Sequence, residues 1–186
     1  MNENYSKYLA LLVLLVTGAV AAAAVLTARA RRPGDRAVKI KSVVFGSVSL
    51  FFDKSGNATI IPYVADLSGE GKATADVTIL PQPYKPNKLG ALIRDSLASC
   101  RNGKPSGSAK LLAILQAQSW KAFTEGKSNL SIYYREGRGI VFNTTVRTPE
   151  GAYIFNTGGI ESCLSPDAGD EEIGRISLEL LKKCRS

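Results

Sequence analysis

Two stretches of this chain, 84 residues apart, carry the same helical pattern, and that repeat limits the fold more than any other feature. They are "KLGALIRDSLASC" at residues 88–100 and "EIGRISLELLKKC" at residues 172–184. Leu89, Leu92, Leu97 and Cys100 fall on Ile173, Ile176, Leu181 and Cys184, and Gly90 falls on Gly174. Spaced i, i+3, i+8 and i+11, these positions share one face of a helix of 3.6 residues per turn. Glycine costs a helix interior up to about 1 kcal/mol against alanine, so two at matching positions point to close backbone approach. Any two amphipathic helices look partly alike, so the match gains force only if the surroundings repeat as well.

They do. "GSVSLFFDKSG" and "SNLSIYYREG" align Ser49, Leu50, Phe51 and Phe52 with Ser131, Ile132, Tyr133 and Tyr134, an offset of 82. Each then meets a glycine turn and an apolar strand, "ATIIPYVAD" in the first half and "GIVFNTTVRT" in the second. Pro62 suits an edge or the end of a pairing. "ATADVTIL" and "AYIFNT" supply a third strand to each half before the helix. The reading is an internal duplication of a βββα unit. One helix covers only part of a twisted three-stranded sheet, so two units must share a sheet or pack face to face around one core. The expected fold class is α+β with mainly antiparallel sheet, in halves of about residues 38–100 and 128–184. Between them "SAKLLAILQAQSWKAF" reads as a connecting helix over about residues 108–123, with Trp120 as a core anchor.

Ahead of this domain, residues 8–28 form an uncharged run of 21. At 1.5 Å per residue the run is about 31 Å of helix, the thickness of a hydrocarbon core. A cleaved signal peptide is the rival reading, but its positive charge belongs before the apolar run, where only Lys7 stands against Glu3. The flank "RARRPGDRAVKIK" holds six basic residues, which by the positive-inside rule stays in the cytoplasm. The expected organisation is a tail at 1–7, a membrane anchor at 8–28, a basic linker at 29–37 and an α+β domain at 38–186. That places the protein in a bacterial inner membrane, single-pass, with its domain cytoplasmic; the opposite topology would put the domain in the periplasm.

Charge and residue usage narrow the function. Net charge is +8, but the basic flank holds most of it and the body lacks the clustered Lys/Arg that nucleic acid requires. With no histidine, Ser-His-Asp and Cys-His catalysis and most zinc sites are excluded. Cys100, Cys163 and Cys184 are isolated, and two of them lie on apolar helix faces, where cysteine acts as a small hydrophobe. "SGEGKAT" lacks the GxxxxGK[ST] spacing of a phosphate loop and reads as a hairpin turn. The expectation is a chain that is not an enzyme, with no cofactor, metal, small-molecule substrate or nucleic acid, acting on a protein partner. The single acidic cluster, Asp167, Asp170, Glu171 and Glu172, precedes and opens a helix, where negative charge complements the macrodipole. Its second reading is a docking patch for a basic partner.

"LGALIRDSLASC", preceded by "DVTILP" and followed by "SWKAF" and "NLSIYYREGRGIVF", resembles the immunity proteins of bacterial contact-dependent growth inhibition systems. The likeness covers roughly residues 77–146. It implies a membrane-anchored immunity protein that binds and neutralises a cognate toxin domain delivered by a neighbouring bacterium, without catalysis of its own. The alternative is a membrane-tethered structural or adaptor domain of an envelope or secretion complex. The anchor departs from the usual form of the family. So does the mildly basic body, since an inhibitor covering a cationic nuclease site would be acidic.

Overall fold

The sheet is built outward from one central pair of strands. The structure, a computed structural model, describes residues 45–65, 69–155 and 161–184. In chain order the elements are β1 (Ser47–Phe52), β2 (Ala58–Ala65), β3 (Gly71–Ala73), β4 (Thr78–Leu80), α1 (Pro86–Ser99), α2 (Ser108–Ile114) and α3 (Trp120–Thr124). Then come β5 (Ser128–Arg135), β6 (Gly139–Arg147), β7 (Tyr153–Phe155), β8 (Glu161–Leu164) and α4 (Asp170–Leu181). The strand order is β3-β2-β1-β5-β6-β7, with β4 also on β2 and β8 also on β6, and every pairing is antiparallel.

The registers repeat between the halves. Ser49 sits opposite Ser131, its own counterpart 82 residues on, as a two-fold axis through the sheet centre requires. Ser49↔Ile61 in the first half becomes Ser131↔Asn143 in the second, Tyr63↔Ala73 becomes Thr145↔Phe155, and Ala58↔Leu80 becomes Ile140↔Leu164. The helices obey the same relation. A Cβ on Gly90 would lie 1.8 Å from the Asp170 carbonyl oxygen, and one on Gly174 would lie 1.9 Å from that of Pro86. Glycine is therefore required at both positions because backbone touches backbone. The Cys100 thiol donates to the Ser47 carbonyl at 3.4 Å, and the Cys184 thiol to the Asn129 carbonyl at 3.2 Å.

One detail of the expected βββα unit is corrected. The third strand of each half is split in two, giving ββββα. In the first half β3 and β4 follow the same edge of β2, but two extra residues bulge out between them, where the Asp76 amide donates to Thr74 Oγ1 at 3.2 Å. Pro62, which has no N–H to give, carries its carbonyl on that same edge, where it accepts from the Thr74 amide at 2.9 Å. The single connecting helix is likewise two short helices. Gln116 takes a left-handed φ of 52° between them, and the Ser119 hydroxyl caps α3 by accepting the Ala122 amide at 3.1 Å.

Strand alternation gives the sheet two different faces. On the first, Val48, Leu50, Ile60, Leu130, Ile132, Ile140 and Phe142 pack against Leu89, Ile93 and Leu97 of α1 and Ile173 and Leu180 of α4. Each such side chain contributes about 1.5–3 kcal/mol by leaving water, which makes this face the main stabilising element. Arg94 of α1 joins the two helices, its Nε donating to Asp170 Oδ1 at 2.6 Å and its Nη2 to the Ala168 carbonyl. On the second face Phe51 and Ile61 are covered by Leu111 and Phe123 of the α2–α3 segment.

The expectation of a membrane-anchored protein is corrected. Among the described residues no helix is long and apolar enough to cross a membrane. The longest helix, α1, has 14 residues, about 21 Å, and carries Lys88, Arg94 and Asp95. Residues 8–28 lie outside the described residues. The single-pass topology, the inner-membrane location with a cytoplasmic domain, the membrane as a partner and the anchored form of the immunity or adaptor function are therefore set aside in favour of an α+β domain with one curled antiparallel sheet.

Candidate functional site

The second face offers a concavity that draws on several elements at once. A cavity of about 440 Å³ has Ser49, Ser131 and Asn129 on its strand floor and Phe51, Trp120 and Tyr153 in its wall, with Ile154 and Phe155 at the rim. The sequence places these residues together simply. Positions 47, 49 and 51 of β1 and 129, 131 and 133 of β5 share this face by strand alternation, and α3 brings Trp120 across from the insertion.

The wall is rigid. The Phe51 ring meets Trp120, Phe123 and Tyr153 edge to face, with centroids 5.7, 5.1 and 5.6 Å apart. The Tyr153 hydroxyl donates to the Thr124 carbonyl at 3.2 Å and the Lys127 carbonyl at 2.5 Å. Burial pushes that phenol up to about 12, against a smaller opposing pull from Arg147. Arg147 fastens α3 from the strand side, through Thr124 Oγ1 at 3.2 Å and the Lys121 carbonyl at 3.1 Å. On the floor, Thr145 Oγ1 lies 2.7 Å from the Asn129 carbonyl and 3.0 Å from Asn129 Oδ1, while Asn129 Nδ2 donates to the Leu50 carbonyl at 3.3 Å. Burial raises the Tyr63 phenol, with the Ser49 hydroxyl bond acting the other way. A second hollow of about 420 Å³ shares Tyr63 and adds Phe45, Ser47, Tyr133 and Tyr134. Among the described residues neither hollow is lined by Asp, Glu, Lys or Arg.

A neutral, aromatic-walled concavity has the chemistry of a binding surface. Its hydroxyls and amides are donors and acceptors without a neighbouring base to make one a nucleophile. Among the described residues no group of three or more Cys, Asp or Glu could hold a metal ion. The rim adds exposed apolar surface, with Ile154 58% and Phe155 62% accessible.

The four carboxylates singled out in the sequence differ in setting. Asp170 turns inward to Arg94. Asp167, in the turn before α4, and Glu171 and Glu172, in its first turn, are exposed. None of them lines the concavity, which lies on the other face of the sheet from α4. Apart from Trp120, read as a core anchor, sequence reasoning missed the concavity residues because they come from six separate elements. The available signal was the polar alternation of "SVSLFF" and "NLSIYY", which marks a second face too polar for a full core.

The class defined by these features is a two-fold-repeated α+β domain carrying an uncharged concavity and no assembled catalytic group among its described residues. No protein-family model and no curated protein matches the chain. Its fold is shared with two solved structures. One is a protein of unknown function from Neisseria meningitidis, at TM-score 0.59 and 17% identity, covering 78% of this chain and 98% of that one. The other belongs to a CdiA-CT/CdiI toxin and immunity complex from Yersinia pseudotuberculosis, at TM-score 0.56 and 14% identity, covering 78% of this chain and 100% of that one.

Proposed function

We propose that this domain is the immunity member of a toxin–immunity pair, binding and neutralising a toxin domain without catalysis of its own. The observation that carries this reading is the correspondence of fold with the whole of a chain from a CdiA-CT/CdiI complex. The motifs that resemble contact-dependent growth inhibition immunity proteins support it as scaffold, since "LGALIRDSLASC" is α1 and "NLSIYYREGRGIVF" is the β5–β6 hairpin. The partner-facing surface in this reading is the neutral concavity with its Ile154 and Phe155 rim, because buried, uncharged contacts around aromatic anchors carry most binding energy. Of the acidic residues, Asp167, Glu171 and Glu172 are proposed to steer the approach of the partner, while Asp170 is a structural residue.

The test is co-expression with the toxin domain encoded beside this gene. Growth arrest by the toxin is expected to be relieved, and a stable complex of the two proteins is expected on mixing. A toxin that arrests growth unchanged, with no complex formed, refutes the proposal.

A further inference from the structure

We infer that the insertion between the two repeats, residues 101–127, selects the partner, and that the partner face it meets is acidic. This rests on the toxin-binding reading and names the chemistry of the surface that reading requires. Four strands, their registers, a helix, its contact glycine and its terminal cysteine all recur at an offset of 82 or 84. The insertion, with its two short helices, stands between the two corresponding units and has no counterpart within either of them among the described residues.

Covering the sheet explains its apolar side chains but not its charge. Leu111 and Phe123 shield Phe51 and Ile61. The positions equivalent to Phe51 and Ile61 in the other half are Tyr133 and Asn143, which bond to each other at 3.1 Å and are not among the residues packed against the insertion. The insertion also carries Arg101, Lys104, Lys110, Lys121 and Lys127 against Glu125, a net +4, while the rest of the described chain sums to −1. Arg101, Lys104, Lys110 and Lys121 are exposed. Of these, Arg101, Lys104 and Lys110 form no ion pair among the described residues. Lys104 and Lys110 line one hollow of about 370 Å³, in which Asp76 is the one carboxylate.

These cations stand on a fixed base. Arg147 and Tyr153 fasten α3, and the 105 end is tied to the sheet by the Thr74↔Pro105 bridge and by the Ser106 amide donating to the Ala73 carbonyl at 2.8 Å. The same segment supplies Trp120 to the concavity wall, so charge and neutral anchor are carried by one segment. Asp167, Glu171 and Glu172 lie on the opposite side of the sheet. The resulting dipole turns an acidic partner toward the insertion and away from α4.

Association of the full chain with the cognate toxin domain tests this, measured at low and at high salt. Lys104→Glu with Lys110→Glu is expected to slow association about tenfold at low salt, with dissociation little changed and the difference vanishing at high salt. Lys104→Gln with Lys110→Gln should fall between. Unchanged thermal midpoints confirm that the variants fold. A complex that forms at the wild-type rate in the reversed variant overturns the inference and leaves the toxin-binding reading standing. Salt-dependent binding of duplex DNA that only the reversal removes, with toxin association unmoved, overturns it as well. Absence of any complex with the wild-type chain overturns both.

Discussion

Replacing Gly90 with alanine gives a sign test of the helix seam. By helix propensity alone, Gly→Ala inside α1 stabilises by about 1 kcal/mol. The structure predicts the reverse. The new methyl carbon would lie 1.8 Å from the Asp170 carbonyl oxygen, 2.7 Å from its carbon and 2.9 Å from the Gly174 nitrogen. All three are backbone atoms, so no rotamer change relieves the clash, and α1 and α4 must separate by about 1.5 Å to reach ordinary contact. Overpacking of this kind costs typically 1–3 kcal/mol, and the upper end applies where backbone must move. About 3 kcal/mol of strain less about 1 of propensity leaves a net loss of about 2 kcal/mol, or roughly 4–8 °C in melting temperature for a domain of this size. Urea unfolding followed through Trp120 fluorescence and helical circular dichroism measures it. Gly174→Ala should cost about as much, meeting the Pro86 carbonyl at 1.9 Å. Because both substitutions open one seam, the double variant should lose less than the sum of the two. A neutral or stabilised Gly90→Ala protein would mean that the helices do not touch there, and the two-fold repeat would lose its firmest physical support.

Other outcomes follow from the same coordinates. Asp170→Asn removes the negative charge from the ion pair with Arg94, whose side chain is 10% accessible, and should cost about 1–2 kcal/mol, whereas Glu172→Gln should stay within about 0.5, both read from urea midpoints. Burial holds the Cys184 thiol up to about 11 and the Tyr153 phenol up to about 12, from ordinary values of 9.0 and 10.0. The folded state thus keeps protons that the unfolded chain releases, so stability is full below about pH 9 and is lost as pH rises through 11 and 12; Cys184→Ala should remove the part of the decline that starts first. Ile154→Ser with Phe155→Ser should leave the melting temperature nearly unchanged, since both side chains are more than half exposed, yet weaken toxin binding at least tenfold by titration calorimetry.

What could be read from the sequence was whatever the repeat enforces. The offsets of 82 and 84 located the central strand pair and both helices, and the glycines at 90 and 174 already announced the contact that the structure contains. Of the stripe positions, Leu89, Leu97, Cys100 and Ile173 are buried, while Leu92, Ile176, Leu181 and Cys184 are partly buried against the same core. Strand β8 escaped because "ESCL" is short and half polar, although it matches "VTIL" of the first half at the helix offset of 84. The split of the third strand escaped because a bulge depends on which β2 residues are free to pair, which propensity does not express. Residues 8–28 had a strong hydropathy pattern, but they lie outside the described residues, and the helices that are described are too short or too polar for a bilayer. The concavity was illegible for a different reason. Its wall is a tertiary product of β1, α3 and β7, which are neighbours only after the halves pair.

The architecture also explains why variation would gather where the charge is found. Strand β1 meets β5 and α1 meets α4 across the repeat, so each copy supplies the other's missing neighbour, and a change at either contact must satisfy both copies. The join between copies has no such duty. Residues 101–127 enter after α1 has ended and leave before β5 begins, so length and charge there can change without shifting a register. The constraints that remain on the segment are to cover Phe51 and Ile61, which Leu111 and Phe123 meet from buried positions, and to keep its anchors at Pro105, Ser106 and Thr124. Its outward side chains are therefore free to follow a partner while the scaffold stays fixed. On the proposed toxin-binding reading that separation is an advantage, because specificity can then be altered by several like charges at a cost in stability of a few tenths of a kcal/mol.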